Sequence, residues 1–306
     1  MTTIDTAEAT RIFDEHRDRL HAIAYRLLGR TGDAEDVVQD SWLRWSDVDV
    51  AEVTDPEAYL VRVVTRLAID RLRSAQARHE RYTGSWLPEP LVTGPDVADE
   101  VALAATVSTA MLVLLESLSP LERAVFVLRE AFGYSYAEIA AMVERSEASV
   151  RQTARRAREH VERRRVRYDT DRATRAEVTE RFLAAAAGGA LAELMEVLAP
   201  DVTLVSDGGG KAPAPRRPIL GAEAVARALV TFAGRMPPEP RVEIAEVNGG
   251  PGIVVYSGET PAVVLTLHLS DGAVHLIHLV SAPDKLTGLR PAGRHAHPRG
   301  RGIGRG

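Results

Sequence analysis

The chain of 306 residues contains no cysteine, which excludes a disulfide framework and a thiolate metal site. Lysine is almost as scarce, since Lys211 and Lys285 are the only two among 38 basic residues. No apolar run is long enough to cross a membrane, and the start, MTTIDTAEATRIFDEHRDR, lacks the apolar core of a signal peptide. We therefore expect a cytoplasmic protein without membrane contact, and the length predicts two or three domains.

The stretch 119–165 contains the clearest start signals for helices. Ser119 and Ser135 each begin a capping box, in which a serine is followed three residues later by a glutamate. The helix after Ser135 is short, about 136–143, and Gly133 can take the left-handed conformation that ends the helix before it. A third helix follows Ser146, its predicted N-cap. This arrangement predicts a helix-turn-helix.

The third helix combines one apolar stripe with cationic faces. The stripe comprises Val150, Ala154, Ala157 and Val161. Between Glu147 and Arg167 there are eight arginines against three glutamates, in a chain of net charge −5. Arginine matches phosphate oxygens and the guanine edge, and glutamine can bond adenine, so we expect this helix in the major groove of DNA. The expected DNA contacts are Ser146, Ser149, Arg151, Gln152, Arg155, Arg156 and Arg158. The alternative is a solvated basic helix.

Three further helices are predicted in the first 74 residues. The first carries an apolar stripe and ends at Gly29. The second has an apolar side of Val38, Trp42 and Trp45, and an exposed acidic face of Asp36, Gln39 and Asp40. The third opens with Asp55-Pro56, a cap followed by proline. It directs Leu60, Val64 and Leu67 inward and Arg62, Arg66 and Arg73 outward. The acidic face suits a basic protein, and the basic face suits a nucleic acid.

Two stretches carry a resemblance to a known family. Region 2 of an extracytoplasmic-function sigma factor is similar to FDEHRDRLHAIAYRLLGRTGDAEDVVQDSWLRW followed by DPEAYLVRVVTRLAIDRLR. Region 4 of that family is similar to SPLERAVFVLREAFGYSYAEIAAMVERSEASVRQTARRAR. The order and spacing of both match, and the resemblance covers about residues 10 to 168. It assigns residues 1–74 to a region 2 helical domain and 106–168 to a region 4 helix-turn-helix domain.

The resemblance implies partners for each surface. The DAEDVVQDSWLRW helix would dock on the clamp helices of the largest subunit of core RNA polymerase, through Asp36, Gln39 and Asp40. The loop after Trp45 and the helix that carries Arg62, Arg66 and Arg73 would capture the melted −10 element of promoter DNA. The helix from Ser146 to Arg158 would read the −35 element.

Residues 75–105 are predicted to be a linker without regular structure, because HERYTGSWLPEPLVTGPDVADE is rich in proline, glycine and acid. An exposed tryptophan in such a linker is unfavourable unless it docks. Trp86, Pro88 and Glu89 are therefore expected to anchor the linker on another domain, and a chance apolar residue is the alternative. A WLPEP linker also resembles the sigma-factor subgroup that carries a SnoaL-like domain behind region 4.

Residues 172–290 are predicted to form that domain. Helices are expected at about 175–187, 190–198 and 221–232, with a strand near 202–206 and several more up to Val280. Helices wrapped on a curved sheet give an α+β cone with an internal cavity, as in SnoaL-like polyketide cyclases. Residues 291–306, rich in glycine, arginine and histidine, are predicted to be a disordered tail.

A hairpin in this domain contains a candidate cavity residue. Asp271-Gly272 predicts a primed two-residue turn, which would pair Leu269 with Val274, His268 with His275, Leu267 with Leu276 and Leu265 with His278. In that register His278 shares the leucine face and looks into the cavity, where it could act as an acid or base. A hydrogen-bonded core histidine is the favoured alternative. No catalytic residue, cofactor or metal is predicted.

Three further motifs of the domain resemble those of the same subgroup. DGGGK at 207–211 is not a phosphate loop, because Ala-Pro-Ala-Pro follows it instead of a helix with GK[ST]. Together with NGGPG at 248–252 and PDKL at 283–286 it is expected to be an interaction motif. The resemblance would place Asp207, Lys211, Asp284 and Lys285 at the surface, meeting the linker or the helical domains.

The sequence thus predicts two all-α sigma domains followed by an α+β SnoaL-like cone-shaped domain. The predicted function is promoter recognition for RNA polymerase, regulated in cis by the carboxyl-terminal domain, with an unknown small molecule as a further candidate ligand. Two alternatives are a DNA-binding regulator with a ligand-sensing domain, and a cyclase or isomerase fused to a DNA-binding module.

Overall fold

A computed structural model describes residues 6–79, 84–93, 108–164, 172–236, 240–287 and 289. The predicted tail at 291–306, residues 80–83 and 94–105 of the predicted linker, and Arg165 and Arg167 lie outside these residues. Within the described ranges, no helix combines the length and apolar character needed to cross a membrane.

The first unit contains α1 (Thr6–Leu28), α2 (Thr31–Ser46) and α3 (Pro56–His79), with a 3₁₀ turn at Val50–Glu52 between the last two. Gly29 adopts φ 70°, so the chain leaves α1 where the sequence predicts. Asp55 caps α3, because its Oδ1 accepts the N–H of Ala58 at 2.9 Å. Trp45 is fully buried and donates its ring N–H to the carbonyl of Ala9 at 2.8 Å. This bond fixes α2 against α1.

The second unit contains α4 (Thr109–Leu115), α5 (Pro120–Glu130), α6 (Tyr136–Val143) and α7 (Glu147–Arg164). Both capping boxes are formed, at Ser119 and at Ser135, and α6 has the predicted bounds. Ser146 caps α7 through the N–H of Ser149 at 3.3 Å. The predicted stripe of α7, Val150, Ala154, Ala157 and Val161, is buried. Side chains from both helical units belong to one continuous apolar core.

The third unit has helices α8 (Arg172–Gly188), α9 (Leu191–Val197) and α10 (Ala222–Ala233). Its strands are β1 (Leu198–Asp207), β2 (Ile219–Leu220), β3 (Arg241–Val247), β4 (Gly250–Ser257), β5 (Thr260–Ser270) and β6 (Ala273–Val280). They form a single sheet in the order β2-β1-β6-β5-β4-β3. Only the β1–β6 pair among them is parallel. The α+β class is as predicted.

Each face of this sheet carries an apolar core. On one face, Phe182 of α8, Leu194 of α9 and Leu229 of α10 pack with strand residues such as Leu267 and Ile277. The core of the other face comprises Tyr256, Val264, Val280, Leu286 and, from the linker, Leu87. Burial of the second face therefore depends on a residue outside the sheet domain.

The β5–β6 hairpin differs from its predicted register. The Asp271-Gly272 turn is formed with φ values of 50° and 75°, and Leu269 pairs with Val274 as predicted. A bulge follows, so that His268 pairs with Leu276 and Thr266 with His278. The extra residue reverses the faces of every later residue in β6. The predicted pairing of His268 with His275, of Leu267 with Leu276 and of Leu265 with His278 is therefore wrong.

Candidate functional site

The recognition helix α7 presents its predicted DNA contacts to solvent. Ser146, Arg151, Gln152, Arg155, Arg156 and Arg158 are exposed, and Ser149 is half-buried. The exposure follows from the buried apolar stripe, which leaves only the opposite faces free.

The arginines of α7 are paired with nearby carboxylates. Arg155 binds Glu159 at 2.7 Å, and Arg158 binds Glu130 of α5 at 2.6 Å. Arg151 binds Glu147 and also lies over the ring of Tyr136, 4.8 Å from its centroid. Arg156 lies 3.9 Å from Glu122. Because exposed pairs of this kind contribute about 0–1 kcal/mol, phosphate oxygens can replace the glutamates at small cost.

The acidic face of α2, comprising Asp36, Gln39 and Asp40, is exposed as predicted. Asp36 accepts from Arg71 of α3 at 2.5 Å, which orients its carboxylate. Leu43, 62% exposed, continues the same face one turn further along. The sequence interpretation missed Leu43, although its spacing of seven residues from Asp36 was a signal. An exposed leucine at the end of an acidic face is suited to a protein partner.

The three arginines predicted on α3 differ in their surroundings. Arg73 is exposed beside Asp70 at 3.1 Å. Arg62 lies over the ring of Tyr59, 5.0 Å from its centroid. Arg66 instead donates to the carbonyl of Met142 at 3.0 Å and lies 2.8 Å from the carboxylate of Glu144. Both partners of Arg66 lie at the end of α6, in the helix-turn-helix unit.

A cleft of about 880 Å³ lies between one side of each of the same two units. It is lined by the loop before α3 and by the turn between α5 and α6. Arg19 of α1 joins its walls, since its Nε donates to the hydroxyl of Tyr134 at 3.2 Å and lies 3.1 Å from Glu57. The predicted −10 surface and the helix-turn-helix thus face each other.

The WLPEP linker docks on the carboxyl-terminal domain at a buried ion pair. Lys285 Nζ lies 2.6 Å from Asp207 Oδ2, and both side chains are at most 5% exposed. Asp207 Oδ2 also accepts the N–H of Leu87 at 2.8 Å, and Lys285 donates to the carbonyl of Leu87. The ammonium lies 4.0 Å from the ring centroid of Trp86, a cation–π contact. We call Trp86, Leu87, Asp207 and Lys285 the linker-docking site.

The burial of this ion pair corrects one prediction. Asp207 and Lys285 lie beneath the linker and not at the surface. Lys211 and Asp284 are at the surface as predicted, 2.6 Å apart. Burial lowers the pKa of Lys285 to about 8, although the neighbouring Asp207 acts in the opposite direction.

The linker also contacts the first helical unit. Trp86 lies against Gly29, where an added Cβ would come within 3.3 Å of the indole ring. Glu89 accepts the N–H of Thr31 at 2.9 Å, at the start of α2, and donates its own N–H to the carbonyl of Gly29 at 2.8 Å. Arg30, the N-cap of α2, provides no side-chain cap. Glu89 therefore caps the helix that carries the acidic face. Burial raises the pKa of its carboxyl group.

The other predicted linker anchor, Pro88, is buried between Leu87 and Glu89. Residues 87–90 are all buried, so the segment that follows Trp86 is docked on the protein.

His278 does not face the apolar core that the helices cover. Because of the bulge it lies on the opposite face of the sheet, where its Nδ1 is 3.0 Å from Nε2 of His268. Burial lowers the pKa of both histidines, that of His268 to about 4. His278 is 2% exposed, so the prediction that it looks into a cavity is wrong and the core-histidine alternative is correct.

Comparison with known proteins places these surfaces in a family. Residues 12–78 match the Sigma-70 region 2 family, and residues 108–161 match Sigma-70, region 4. The two helical units are therefore the promoter-recognition domains of a sigma-70-type protein.

Full-length relatives narrow the class. The chain is 40% identical to the ECF RNA polymerase sigma factor SigJ of Mycobacterium tuberculosis, over 95% of this chain and 97% of that protein. It is 33% identical to the probable ECF sigma factor SigI of the same organism, over 90% and 93%. The crystal structure of SigJ superposes with a TM-score of 0.72 at 37% identity, over 92% of this chain and 99% of that one. The protein belongs to the extracytoplasmic-function RNA polymerase sigma factors.

This membership decides between the functions that the sequence left open. Sigma factors are not enzymes. They act on promoter DNA together with core RNA polymerase. The alternative DNA-binding regulator would bind DNA without polymerase.

The first prediction concerns the stability that the buried ion pair provides. Lys285→Met leaves the Asp207 carboxylate buried without a countercharge, and we expect it to lower the free energy of unfolding by about 3–5 kcal/mol. The matched control, Lys211→Met, removes the exposed pair with Asp284 and should cost at most about 1 kcal/mol. Urea denaturation of both variants measures the difference. Equal midpoints would show that the buried pair has no special role.

The second prediction concerns pH. Lys285 has a pKa of about 8 in the folded chain, against 10.5 ordinarily. Between these values the unfolded chain binds more protons at this position, so the contribution of Lys285 to stability rises with pH across that window. The difference in unfolding free energy between the wild type and Lys285→Met should therefore grow from pH 8 to pH 10. A constant or shrinking difference would contradict the lowered pKa.

Proposed function

We propose that the carboxyl-terminal domain regulates this sigma factor in cis. The domain binds the linker at the linker-docking site, and the linker in turn contacts the α1–α2 turn through Trp86 and Glu89. In this closed form the linker attaches the first helical unit to the carboxyl-terminal domain, and a bond from Thr109 of α4 to Asn248 attaches the second. Core polymerase or promoter DNA then stabilises an open form in which the helical units are released.

The contacts of Arg66 are the observation that carries this proposal. In the closed form its guanidinium is bonded to Met142 and Glu144. These two bonds compete with binding of the melted −10 element, for which the position of Arg66 on α3 suits it. Promoter opening would require separation of the two helical units, and the linker opposes that separation.

The residue roles in the open form follow from the exposed surfaces. The acidic face of α2, extended by Leu43, binds core polymerase. Recognition helix α7 reads the −35 element, and α3 contributes Arg62, Arg66 and Arg73 to the −10 element. These events take place in the cytoplasm, with the polymerase. A small molecule that binds the carboxyl-terminal domain would bias the equilibrium between the two forms.

The third prediction tests polymerase binding. Asp36→Arg combined with Asp40→Arg should abolish co-purification with core polymerase, because two repulsive charges replace two attractive ones on the docking face. Glu177→Arg combined with Glu193→Arg makes the same charge change at exposed positions of α8 and α9 and should bind normally. Loss of binding in both double variants would mean that net charge, and not this face, determines binding.

Because the chain has only two lysines, Lys211 and Lys285, labelling of amines can report on the linker-docking site. In the free chain an amine-reactive reagent should label exposed Lys211 and spare Lys285, which is 4% exposed. If polymerase selects the open form, its addition should raise labelling of Lys285 by about an order of magnitude, with Lys211 as internal standard. Mass spectrometry distinguishes the two sites.

Transcription assays test whether weakening of the linker-docking site activates the sigma factor. Run-off transcription by Lys285→Met and by Asp207→Asn should exceed that of the wild type at limiting polymerase, whereas Lys211→Met should match the wild type. Continued protection of Lys285 in the polymerase-bound chain, together with unchanged transcription in all three variants, would remove the regulatory role of the linker-docking site.

A further inference from the structure

The turn between β3 and β4 has the backbone of an ordinary hairpin turn, but its first residue is buried. Asn248 and Gly249 have φ values of 50° and 68°, the combination that favours Asn-Gly in a two-residue turn. Asp271 and Gly272 form the equivalent turn between β5 and β6. Asp271 is exposed, as expected for a turn, whereas Asn248 is only 1% exposed. Turn geometry accounts for the backbone of Asn248 and leaves its burial unexplained.

The side chain of Asn248 bonds three separate parts of the chain. Its Nδ2 donates to the hydroxyl of Tyr25 in α1 at 2.7 Å. Its Oδ1 accepts the N–H of Leu91 in the linker at 3.2 Å, and the hydroxyl of Thr109 in α4 at 3.3 Å. One amide thus contacts the region 2 unit, the linker and the region 4 unit from within the carboxyl-terminal domain.

The backbone around Asn248 strengthens this junction. The N–H of Asn248 donates to the carbonyl of Leu91 at 2.8 Å, and that of Thr93 to the carbonyl of Glu246 at 2.7 Å. Gly249 donates to the hydroxyl of Thr93 at 3.0 Å. The linker is therefore fixed at two places, at the linker-docking site and again along the end of β3.

Tyr25 connects this junction with the capping residue of α2. Its hydroxyl accepts from Asn248 and donates to the carbonyl of Glu89 at 2.9 Å. Both hydrogen-bonding functions of the buried phenol are used, and neither partner belongs to its own helix. The bond from Asn248 therefore reaches the polymerase-docking helix through two intermediates.

From this geometry we infer that Asn248 is an interdomain positioning residue, which fixes α1, the linker and α4 in the closed arrangement. The inference rests on the proposed regulation in cis. Separation of either helical unit from the carboxyl-terminal domain breaks a bond to the same amide, and a buried amide with missing partners is unfavourable. Release of one unit therefore weakens the hold on the other, so the two units open together.

The test compares two glycine substitutions in the full chain. Asn248→Gly retains the left-handed turn and removes the amide, and Asp271→Gly makes the same backbone change at the exposed turn. Since the chain has no cysteine, Glu15→Cys and Glu259→Cys supply the only two thiols for a fluorescent donor and acceptor. We expect Asn248→Gly to lower energy transfer and to raise run-off transcription about tenfold, consistent with the loss of three modest hydrogen bonds. Asp271→Gly should resemble the wild type.

Tyr25→Phe tests whether Asn248 positions α1 or only stabilises its own domain. It should lower energy transfer in the wild-type background and have a smaller effect in the Asn248→Gly background, where the bond from Asn248 is already absent and only the bond to Glu89 is lost. Additive effects, or an Asn248→Gly chain indistinguishable from Asp271→Gly, would overturn the inference. Lowered energy transfer in Asn248→Gly would support the junction at Asn248. If transcription by Lys285→Met were unchanged in the same experiment, the linker-docking site would not be the regulatory contact.

Discussion

The buried ion pair between Asp207 and Lys285 is the constraint on which the arrangement of the three domains depends. Removal of two charges from water costs several kcal/mol for each ion unless their remaining hydrogen bonds are satisfied. Here the linker satisfies them, since Leu87 supplies a backbone donor and acceptor and Trp86 supplies a ring. The linker is thus part of the carboxyl-terminal fold and completes the core on one face of its sheet. The linker then extends from this pair to the start of α2, where Glu89 bonds Thr31 and Gly29.

In the closed form the polymerase-docking face and the −10 surface differ in accessibility. The acidic face of α2 and the exposed arginines of α7 are open to solvent, whereas Arg66 is engaged by the helix-turn-helix unit. The docking face for polymerase is therefore already accessible in the closed form, whereas engagement of the −10 element requires the release of Arg66. This asymmetry favours an order of events in which polymerase binds first and the promoter is read afterwards. It also gives the domain that holds the closed form control over engagement of the −10 element.

Local signals predicted much of this molecule. Capping boxes at Ser119 and Ser135 and the stripe of α7 depend on residues within a few positions of one another, and all of them are formed. The bulge in the β5–β6 hairpin has no local signal in the sequence, so the turn was predictable and the face of His278 was not. The burial of Asp207 and Lys285, 78 residues apart, and the engagement of Arg66 by Met142 are tertiary events without a local pattern. Leu43 is the exception, because helical spacing alone could have assigned it to the docking face.

The parallel pairing of β1 with β6 has a consequence for biosynthesis. β6 is the last strand of the sheet and lies between β1 and β5, so the sheet cannot close until nearly the whole domain has been translated. Lys285 follows Leu87 by 198 residues, which at roughly 5–20 residues per second corresponds to about 10–40 s of synthesis. During that interval the helical units of a nascent chain have no carboxyl-terminal domain to restrain them. Every newly made molecule thus passes through a brief unrestrained period, and rapid translation shortens the time in which its −10 surface is free before self-restraint begins.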